Sequence, residues 1–422
     1  MKTLTQLLQP YSLERFFSEN WTQRAVVIPG ETPDKFKHLF SWAQLNHLLN
    51  FHQLEPRFVL NEKVLPPCDP KEWVKRCQQG ASLVVSHMQE AVPALADLAW
   101  ALQQETGQMG LHANIYCSWP SKIGFTNHYD SHEVFVMQID GPKEWFVFEE
   151  TLKYPYRDEK SYGKTPPDQP PYIHTVLQPG DLLYIPRGHW HYAIAKERPS
   201  LHVTLGIRCF NGRDLLTWAT QSLQETIQQQ DNWRQNLPLI CDQNTDEIEA
   251  YVEQLLDSLG TKIIQEQKKL TQKYIRCQTQ VTTRAPEISL PGQVGFSPFE
   301  AGLNTVLRAI KFQTLTVEPL DETGYLLITP QKKIKLKGLP AHFMNTFVEH
   351  LLKQESFTIG EVADWLPECE IDTQILPLLA GLVQEGILLE DSSEMGVNSP
   401  GFKWSADTVK ETQTETVMNY KL

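Results

Sequence analysis

T-N-H-Y-D-S-H-E-V-F-V-M-Q-I-D-G-P-K-E-W (126–145) and L-Q-P-G-D-L-L-Y-I-P-R-G-H-W-H-Y (177–192) are the two stretches that decide the fold. In the first, Val134–Ile139 is an almost unbroken apolar run, which is typical of a strand buried inside a sheet. Gly141 and Pro142 follow it and predict a turn. In the second, a Pro-Gly-Asp turn precedes the apolar run Leu182–Ile185, and a Pro-Arg-Gly corner follows it. The two stretches therefore predict buried strands of one barrel.

Both stretches carry side chains that can bind a metal. His128 and Asp130 are two residues apart, and side chains two apart on a strand point to the same face. His191 would supply a third ligand from a different strand. Two imidazoles and one carboxylate form the facial triad of non-heme Fe(II) oxygenases, which leaves coordination positions open. Spacing alone does not exclude His189, because a bare H-x-H could chelate, nor His132, which shares the predicted face of Asp130.

At these residues the chain resembles a known family, the JmjC (cupin-type) 2-oxoglutarate oxygenases, and among them the ribosomal oxygenases that hydroxylate ribosomal proteins. The resemblance covers Ala113–Ile207 and rests on these motifs: Asn114-Ile-Tyr116, His128-Tyr-Asp130, Gln138 with Gly141-x-Lys143-x-Trp145, Leu177–Tyr184, Pro186-Arg-Gly188-x-x-His191 and His202-Val-Thr204. It implies an α+β fold built on a JmjC double-stranded β-helix, a cupin or jelly-roll barrel. The even rhythm of short strands and turns over residues 111–212 also suggests a barrel or a double-sheet jelly roll.

The resemblance implies roles for seven of the motif residues. The iron ligands would be His128, Asp130 and His191, since the pattern P-x-G-x-x-H places the ligand at His191 and leaves His189 outside the motif. Lys143 would bind the distal carboxylate of 2-oxoglutarate, and a buried lysine requires such an anionic partner. Three further residues would hydrogen-bond the cosubstrate or line its pocket: Asn114, Tyr116 and Thr204. The implied cofactors are Fe(II), 2-oxoglutarate and O₂, and the reaction belongs largely to them.

Three function hypotheses follow. The first is a hydroxylase acting on a protein side chain, with a ribosomal protein as the expected substrate. The second is a tailoring hydroxylase of a peptide or small molecule, or an N-methyl-lysine demethylase. The third is a catalytically silent cupin that binds a partner or a metal, and the intact triad with Lys143 argues against it. The first two share the same chemistry and differ in the pocket above the metal.

The composition indicates the cellular compartment and the chemical class of partner. The chain has 422 residues, with a net charge of −13, 41% hydrophobic residues and 21% charged residues. An acidic chain is a poor non-specific binder of nucleic acid and a plausible partner for a basic protein segment. Its seven cysteines are scattered, odd in number and without a C-x-x-C pair, which predicts reduced thiols in the cytoplasm. We expect no signal peptide, no membrane span and no direct DNA binding.

Composition and periodicity divide the chain into four parts. Residues 1–212 form the oxygenase domain with an α/β lead-in, and residues 213–280 form a helical segment. Residues 281–391 form a winged-helix-like domain after a linker at Val281–Phe296, and residues 392–422 form a flexible tail. Predicted helices are Leu13–Phe17, Ser41–Phe51, Val92–Gln104, Leu215–Ile227 and Glu247–Lys273; predicted strands include Ala25–Ile28, Gln313–Val317 and Gly324–Ile328.

Two of these parts bear on assembly and binding. Within Glu247–Lys273 an apolar stripe packs either on its own domain or, as in the ribosomal oxygenases, against a second copy in a homodimer: Leu255, Leu256, Leu259, Ile263 and Ile264. Later, Thr358 and Glu361 predict a capping box, and Asp372 and Gly386 predict the start and end of a further helix. That helix has neither Lys nor Arg over 373–385, which favours protein packing over DNA binding.

The polar segment Tyr154–Pro171 is the one long loop that the sequence predicts. It contains five prolines, and its Arg157, Lys160 and Lys164 balance three acidic residues. Long loops over the mouth of a barrel are often lids or binding loops, although a solvated connection has the same composition. We therefore expect either a wall of the substrate channel or a plain connection here.

Overall fold

The computed structural model describes residues 2–61, 63–108, 110–120, 124–238, 245–280, 287–296, 299–312, 315–321, 324–337, 341–354, 356–390 and 416–419. The chain divides into two compact units, Met1–Thr279 and Gln280–Leu422. The division falls close to the predicted end of the helical segment. Among the described residues, no helix combines the length and the apolar character that a membrane crossing requires.

Two sheets form the first unit. Its strands are β1 Val26–Ile28, β2 Arg57–Leu60, β3 Lys63–Val64, β4 Ser82–Val85, β5 Gly110–Ser118, β6 Glu133–Asp140, β7 Lys143–Glu150, β8 Ile173–Leu177, β9 Leu182–Ile185, β10 His189–Ala195 and β11 Ser200–Arg208. The larger sheet has the order β1-β9-β6-β11-β5-β4-β2-β3, and the smaller sheet has the order β10-β7-β8. The expected two-sheet barrel is therefore present. Its lead-in also contributes β1–β4, which cover both edges of the large sheet.

The first quoted stretch forms β6, near the centre of the large sheet. Every residue of Val134–Ile139 is buried, and the side chains alternate between two hydrophobic clusters. Phe135 and Met137 belong to the large core that the N-terminal helices cover. Val134 and Val136 pack with Trp145 on the opposite face. A strand that is buried on both faces reads as a nearly continuous apolar run, which only Gln138 interrupts here.

Helices cover the outer face of the large sheet. They are α1 Lys2–Leu8, α2 Leu13–Arg15, α3 Trp42–Phe51, α4 Trp73–Gln78 and α5 Pro93–Thr106. Ser41 caps α3 by accepting from the backbone of Gln44, and Gly107 ends α5 with a φ of +66°. The predicted helix at Leu13–Phe17 is α2, which continues as a π-helical turn at Phe16–Asn20.

After the barrel the chain forms three helices: α6 Gly212–Ile227, α7 Asp231–Arg234 and α8 Thr245–Gln280. A capping box between Asn211 and Asp214 starts α6. Trp218 of α6 packs edge-on against Tyr274 of α8, with ring centroids 5.1 Å apart. The expected helices are therefore present, and α8 extends beyond the predicted Glu247–Lys273.

Among its described residues, the second unit has two small sheets and three α-helices. Its strands are β12 Val306–Ala309, β13 Thr316–Asp321, β14 Gly324–Ile328, β15 Lys333–Lys337, β16 Phe357–Thr358, β17 Leu388–Glu390 and β18 Thr416–Asn419, and its helices are α9 Ala341–Lys353, α10 Ile359–Trp365 and α11 Leu376–Gln384. The sheet orders are β16-β12-β17 and β13-β14-β15-β18. Residues 281–286 of the predicted linker and most of the predicted tail lie outside the described residues.

The local signals of this unit have mixed outcomes. Thr358 and Glu361 form the predicted capping box at the start of α10, and Gly386 follows α11 with a φ of +63°. The prediction that Asp372 caps the next helix is wrong. The helical stretch begins one residue earlier, at Ile371, with Glu370 in the cap position. There the side chain of Gln374 accepts from the backbone of Glu370, so the first turn is closed without an Asp cap.

Candidate active site

His128 and Asp130 lie in an extended segment just before β6, so the prediction that they belong to a regular strand is wrong. His128 forms an isolated antiparallel bridge with His191 instead. The alternation of side chains nevertheless holds. Tyr129, between the two, is buried and packs edge-on against Trp190, with ring centroids 5.1 Å apart. His128 and Asp130 consequently both face one cavity, which His191 also lines.

A β-bulge separates the two histidines of the H-x-H sequence. The pairing of β10 with β7 shifts register between His189 and His191. On a regular ladder these side chains would share a face, but the pairing strand β7 carries an extra residue between them, and only His191 lines the cavity. His189 instead lies 2.8 Å from the hydroxyl of Tyr172 and 3.3 Å from Glu150. The geometry therefore places His191 in the cavity and His189 outside it.

Hydrogen bonds orient both cavity imidazoles. Nδ1 of His128 lies 2.8 Å from the carbonyl of Thr126, and Nδ1 of His191 lies 3.0 Å from the carbonyl of His189. A carbonyl can only accept, so Nδ1 carries the proton in each ring and Nε2 keeps its lone pair for a metal. One ligand atom from each of His128, Asp130 and His191 lies within 4.8 Å of the others.

The protonation states suit a cation. Burial tends to raise the pKa of Asp130, but the neighbouring histidines, with His132 the strongest, lower it to about 2. Burial, together with His128, lowers the pKa of His191 to about 4. At neutral pH the carboxylate is therefore charged and the imidazole is neutral, which are the forms that bind metals. The donor set fits a divalent iron with open coordination positions.

Lys143 is the first residue of β7 and lies deep in the same cavity. Lys143 follows a turn at Gly141, where φ is +67° and an added Cβ would collide with the Pro199 carbonyl, so the turn requires glycine. Lys143 is 5% exposed, and its Nζ donates to Ser118 Oγ at 2.9 Å. In the part of the chain that the structure describes, it forms no ion pair. Burial lowers the pKa of Lys143 to about 7.

The predicted pocket residues Asn114, Tyr116 and Thr204 line this cavity, which has a volume of about 280 Å³. The pairing of β5 with β11 brings them together, since Asn114 lies opposite Thr204. Such a volume holds a small dicarboxylate and the end of a substrate side chain. The structure therefore places every predicted site residue in one cavity.

Two further residues of this cavity had no role in the sequence analysis. His202 stacks on Tyr116 with parallel rings 4.8 Å apart, and its Nδ1 lies 3.5 Å from Lys143 Nζ. The spacing of His202 and Thr204, two residues apart on β11, could have indicated it. Arg57 of β2 also lines the cavity. No local sequence pattern indicates Arg57, since β2 precedes the barrel strands by some fifty residues.

The loop between β7 and β8 packs against the H-x-D segment. Lys164 Nζ donates to the hydroxyl of Tyr129 at 2.6 Å, and Lys160 Nζ donates to Ser131 Oγ at 3.2 Å. These contacts bracket Asp130 on both sides in sequence. The Tyr154–Pro171 loop is therefore part of the site's surroundings rather than a solvated connection.

The buried carboxyl of Glu133, at the start of β6, contacts both β9 and the corner that precedes His191. Glu133 is fully buried, and the hydroxyl of Tyr184 donates to it at 2.5 Å. Arg187, in the corner that leads to His191, lies 3.7 Å away from the other carboxyl oxygen. Burial raises the pKa of Glu133 to about 7.

A second group of possible ligands, Glu149, Glu150 and His189, lies outside the cavity. Glu149 forms an ion pair with Arg24 at 2.9 Å. His189 is held by Tyr172, whose hydroxyl also accepts from the backbone of Ala25 at 3.1 Å. These side chains therefore join β1 to the small sheet and have a structural explanation.

Known proteins match the part of the chain that carries the candidate site. The family model of the JmjC domain matches residues 88–215. A Drosophila persimilis protein, the bifunctional lysine-specific demethylase and histidyl-hydroxylase NO66, is 27% identical over 307 residues, which are 69% of this chain and 44% of the relative. NO66 of Drosophila sechellia is 31% identical over 219 residues, which are 48% of this chain and 33% of that protein. The chain thus spans less than half the length of these relatives.

Solved structures show the same fold. The crystal structure of the Escherichia coli ribosomal oxygenase YcfD superposes with a TM-score of 0.55 at 20% identity, over 90% of this chain and 98% of that one. YcfD in complex with cobalt and 2-oxoglutarate gives a TM-score of 0.55 at 19% identity, over 91% and 99%. At this level of identity the likeness concerns the fold.

Proposed function

This chain contains a JmjC domain, residues 88–215, and on that premise we propose that it is an Fe(II)- and 2-oxoglutarate-dependent oxygenase that hydroxylates a side chain of a ribosomal protein. One observation carries the proposal. A histidine–aspartate–histidine set and a buried lysine without a carboxylate partner among the described residues lie in one cavity. A metal and a dicarboxylate would together satisfy all four groups.

His128, Asp130 and His191 would hold the metal through the two Nε2 atoms and one carboxylate oxygen. The carbonyls of Thr126 and His189 keep both rings in the required tautomer. Bound Fe(II) with 2-oxoglutarate would supply the oxidative chemistry, in which O₂ and the cosubstrate are consumed and succinate and CO₂ are released. The chain itself orients the reactants and limits the access of water.

Lys143 would pair with the distal carboxylate of 2-oxoglutarate. Removing a charged ammonium from water is unfavourable unless an anion compensates for it, and Ser118 and His202 are both uncharged partners. Ser118 holds the amine in place, and Thr204, Asn114 and Tyr116 supply further hydrogen-bonding groups on the same walls. The proposal thereby accounts for an otherwise unpaired buried lysine.

The substrate class comes from the comparisons. YcfD is a ribosomal oxygenase, and the NO66 relatives are named as histidyl-hydroxylases and lysine-specific demethylases. Hydroxylation of a ribosomal protein side chain agrees with both sets of names. Demethylation of N-methyl-lysine is the second candidate, because the same metal centre would oxidise an N-methyl group and the NO66 name includes that activity.

We also propose roles for the other parts. The second unit would be a winged-helix-like packing module, since α11 buries Leu378, Leu379 and Leu382 within its own core. The exposed apolar side chains of α8 would form a homodimer contact. The free thiols of Cys117 and Cys209 support a cytoplasmic location.

Two measurements test the proposal. Purified protein with Fe(II) should convert 2-oxoglutarate to succinate, even slowly without substrate. Ribosomal proteins from a strain that lacks this protein should lose a one-oxygen mass increment that the parent strain shows. Absence of both turnover and calorimetric 2-oxoglutarate binding would refute the oxygenase, and intact turnover with unchanged ribosomal proteins would refute the substrate.

A further inference from the structure

Four cationic side chains lie on or near the walls of the cavity, although the chain as a whole carries a charge of −13. Arg57 lines the cavity itself. Arg208 is the last residue of β11. The residue before it, Ile207, pairs with Glu133 at the end of β6 nearest the proposed ligands. Arg157 and Lys160 belong to the loop that packs on the H-x-D segment. We call Arg57, Arg157, Lys160 and Arg208 the basic rim.

Contacts through Ser131 place the loop cations beside the proposed metal site. The hydroxyl of Ser131 accepts from Lys160 Nζ at 3.2 Å and donates to the backbone carbonyl of Arg157 at 3.4 Å. Ser131 directly follows Asp130 in the chain. Arg157 is also close enough to Arg208 for the two like charges to interact, since Arg157 adds to the lowering of the Arg208 pKa by burial. Arg157, Lys160 and Arg208 therefore lie close together beside the segment that carries Asp130.

The charges of the rim are not neutralised within the part of the chain that the structure describes. All four side chains are exposed, and none of them belongs to an ion pair there. The nearby Asp158 pairs with Arg213 at 2.7 Å, so its charge is offset mainly by a cation outside the rim. Glu159 forms no ion pair with a rim residue among the described residues and accepts from the backbone of Tyr156 at 2.8 Å. A concentration of unpaired like charge beside a cavity attracts an anionic partner.

An exposed aromatic ring accompanies these cations. The backbone N–H of Lys164 donates to the carbonyl of Ser161 at 3.0 Å and closes a tight turn, in which Gly163 has a φ of +76°. This turn holds Tyr162 outward, with 97% of the residue exposed. Single-stranded nucleic acid is bound by this combination of cations for phosphates and an aromatic ring for base stacking. An acidic peptide would use the cations without needing the ring.

We propose that the basic rim and Tyr162 bind single-stranded RNA next to the modified protein residue, so that the substrate is presented by a ribonucleoprotein rather than by a free protein. The proposal rests on the proposed function and extends it. The overall negative charge confines RNA binding to this face, because phosphates are repelled elsewhere. RNA held at the rim would bring the attached protein side chain to the cavity.

The test measures binding of a fluorescein-labelled oligouridylate of about 12 nucleotides to the full-length protein by fluorescence anisotropy. In the Arg157→Glu/Lys160→Glu variant the affinity should fall roughly tenfold or more, and the slope of log K against log salt should decrease by about 2. Tyr162→Ala should weaken binding about fivefold or more, because one stacked base is lost.

Lys37→Glu is the control for a charge reversal away from the rim. Lys37 is exposed and pairs with Asp34 at 2.6 Å. The neighbouring Thr32 and Pro33 pack at the Gly180 turn, which hydrogen-bonds Gln138 near the other end of β6. Reversal of this charge changes the net charge but not the rim, so RNA affinity should change less than twofold, a value within the usual effect of a distant surface charge.

Three outcomes would overturn the proposal: no binding of oligouridylate at low salt, equal loss in the Lys37 control, or an unchanged affinity in the rim variant. Equally tight binding of a polyglutamate peptide, with no effect of Tyr162→Ala, would show a general anion surface instead. Calorimetry of Mn(II) and 2-oxoglutarate on the same preparations separates the two proposals. Loss of cosubstrate binding would count against the oxygenase, and loss of RNA binding alone would count against the rim.

Discussion

His128 and His191 hold each other in place through their backbones. The N–H of His128 donates to the carbonyl of His191 at 3.1 Å, and the N–H of His191 donates back at 2.7 Å. Their rings lie 4.5 Å apart between centroids. The Gly188 N–H donates to the carbonyl of Asp130 at 2.9 Å, so a backbone hydrogen bond also fixes the third proposed ligand. The backbone therefore sets the spacing of the proposed ligands, as preorganised sites require.

Removal of His191 should abolish metal binding, whereas removal of His189 should not. His191→Ala deletes a cavity ligand, and His189→Ala deletes a side chain that contacts Tyr172 and Glu150 outside the cavity. Titration calorimetry with Mn(II) distinguishes them: the first variant should show no binding, and the second should bind within about threefold of the parent. The second should also unfold more easily, by about 1–2 kcal/mol, because a buried hydrogen bond is lost. The reverse pattern of metal binding would show that the register is shifted by two residues.

Binding of 2-oxoglutarate should take up a proton above neutral pH. The pKa of Lys143 is lowered to about 7, so most of the amine is neutral at pH 8.5, while the bound dicarboxylate favours the charged form. The affinity should therefore fall as pH rises above about 7, and Lys143→Met should lose most of the binding at every pH. Calorimetry in two buffers of different ionisation enthalpy reports the proton directly. Identical heats at pH 8.5 would mean that Lys143 is already charged in the free protein.

The tip of the β7–β8 loop should matter for the substrate and not for the metal centre. Replacing residues 158–163 with a glycine–serine linker removes Lys160 and Tyr162 but keeps Lys164 on Tyr129. Hydroxylation of ribosomal protein should fall about tenfold or more, since positioning of substrate alone contributes factors of this size. Uncoupled succinate formation should stay within about twofold. Lys164→Ala is the comparison, and it should lower both activities because it releases the segment next to His128. Equal loss of both in the tip variant would assign the loop to the fold.

The exposed apolar side chains of α8 should mediate self-association. Leu256 is 60% exposed and Ile263 is 42% exposed. Leu256→Asp/Ile263→Asp should give monomers in multi-angle light scattering, because two charges would be buried in the contact. Gln254→Asp, which points to the opposite side of the helix from Leu256, should leave the dimer intact. A parent protein that is monomeric at micromolar concentration would end this proposal.

Glu133→Gln should stabilise the protein increasingly as pH rises. The folded pKa of Glu133 is raised to about 7 from 4.5, so its stabilising contribution is complete below about pH 4.5 and is lost as pH rises through 7. Glutamine keeps the acceptor for Tyr184 and has no proton to lose. Between pH 5.5 and 8.5 the free energy of unfolding of the variant should gain roughly 2 kcal/mol on that of the parent. Parallel pH profiles in urea denaturation would contradict a buried, titrating carboxyl.

The sequence alone determined the features that depend on local chemistry. The apolar run of β6 predicts a strand buried inside a sheet, the apolar spacing of Ser41–Phe51 predicts the helix α3, and Gly141 predicts the turn before Lys143. The residue types at 128, 130 and 191 limit the site to metal chemistry, because two imidazoles and a carboxylate are a known ligand set. Each of these signals lies within a few residues of the feature that it specifies.

Only the tertiary structure decided which of those residues meet. A one-residue register shift, with the extra residue on β7, lies between His189 and His191, and such a shift leaves no mark in composition. The register of β5 with β11 brings His202 onto Tyr116 across a long stretch of chain. The charge of the loop sums to zero in the sequence, but in the fold Asp158 pairs with Arg213. Arg157 and Lys160 form no ion pair among the described residues. A sum over residues counts every charge equally, whereas the field at the site depends on which charges pair, and pairing is set by contacts between distant segments.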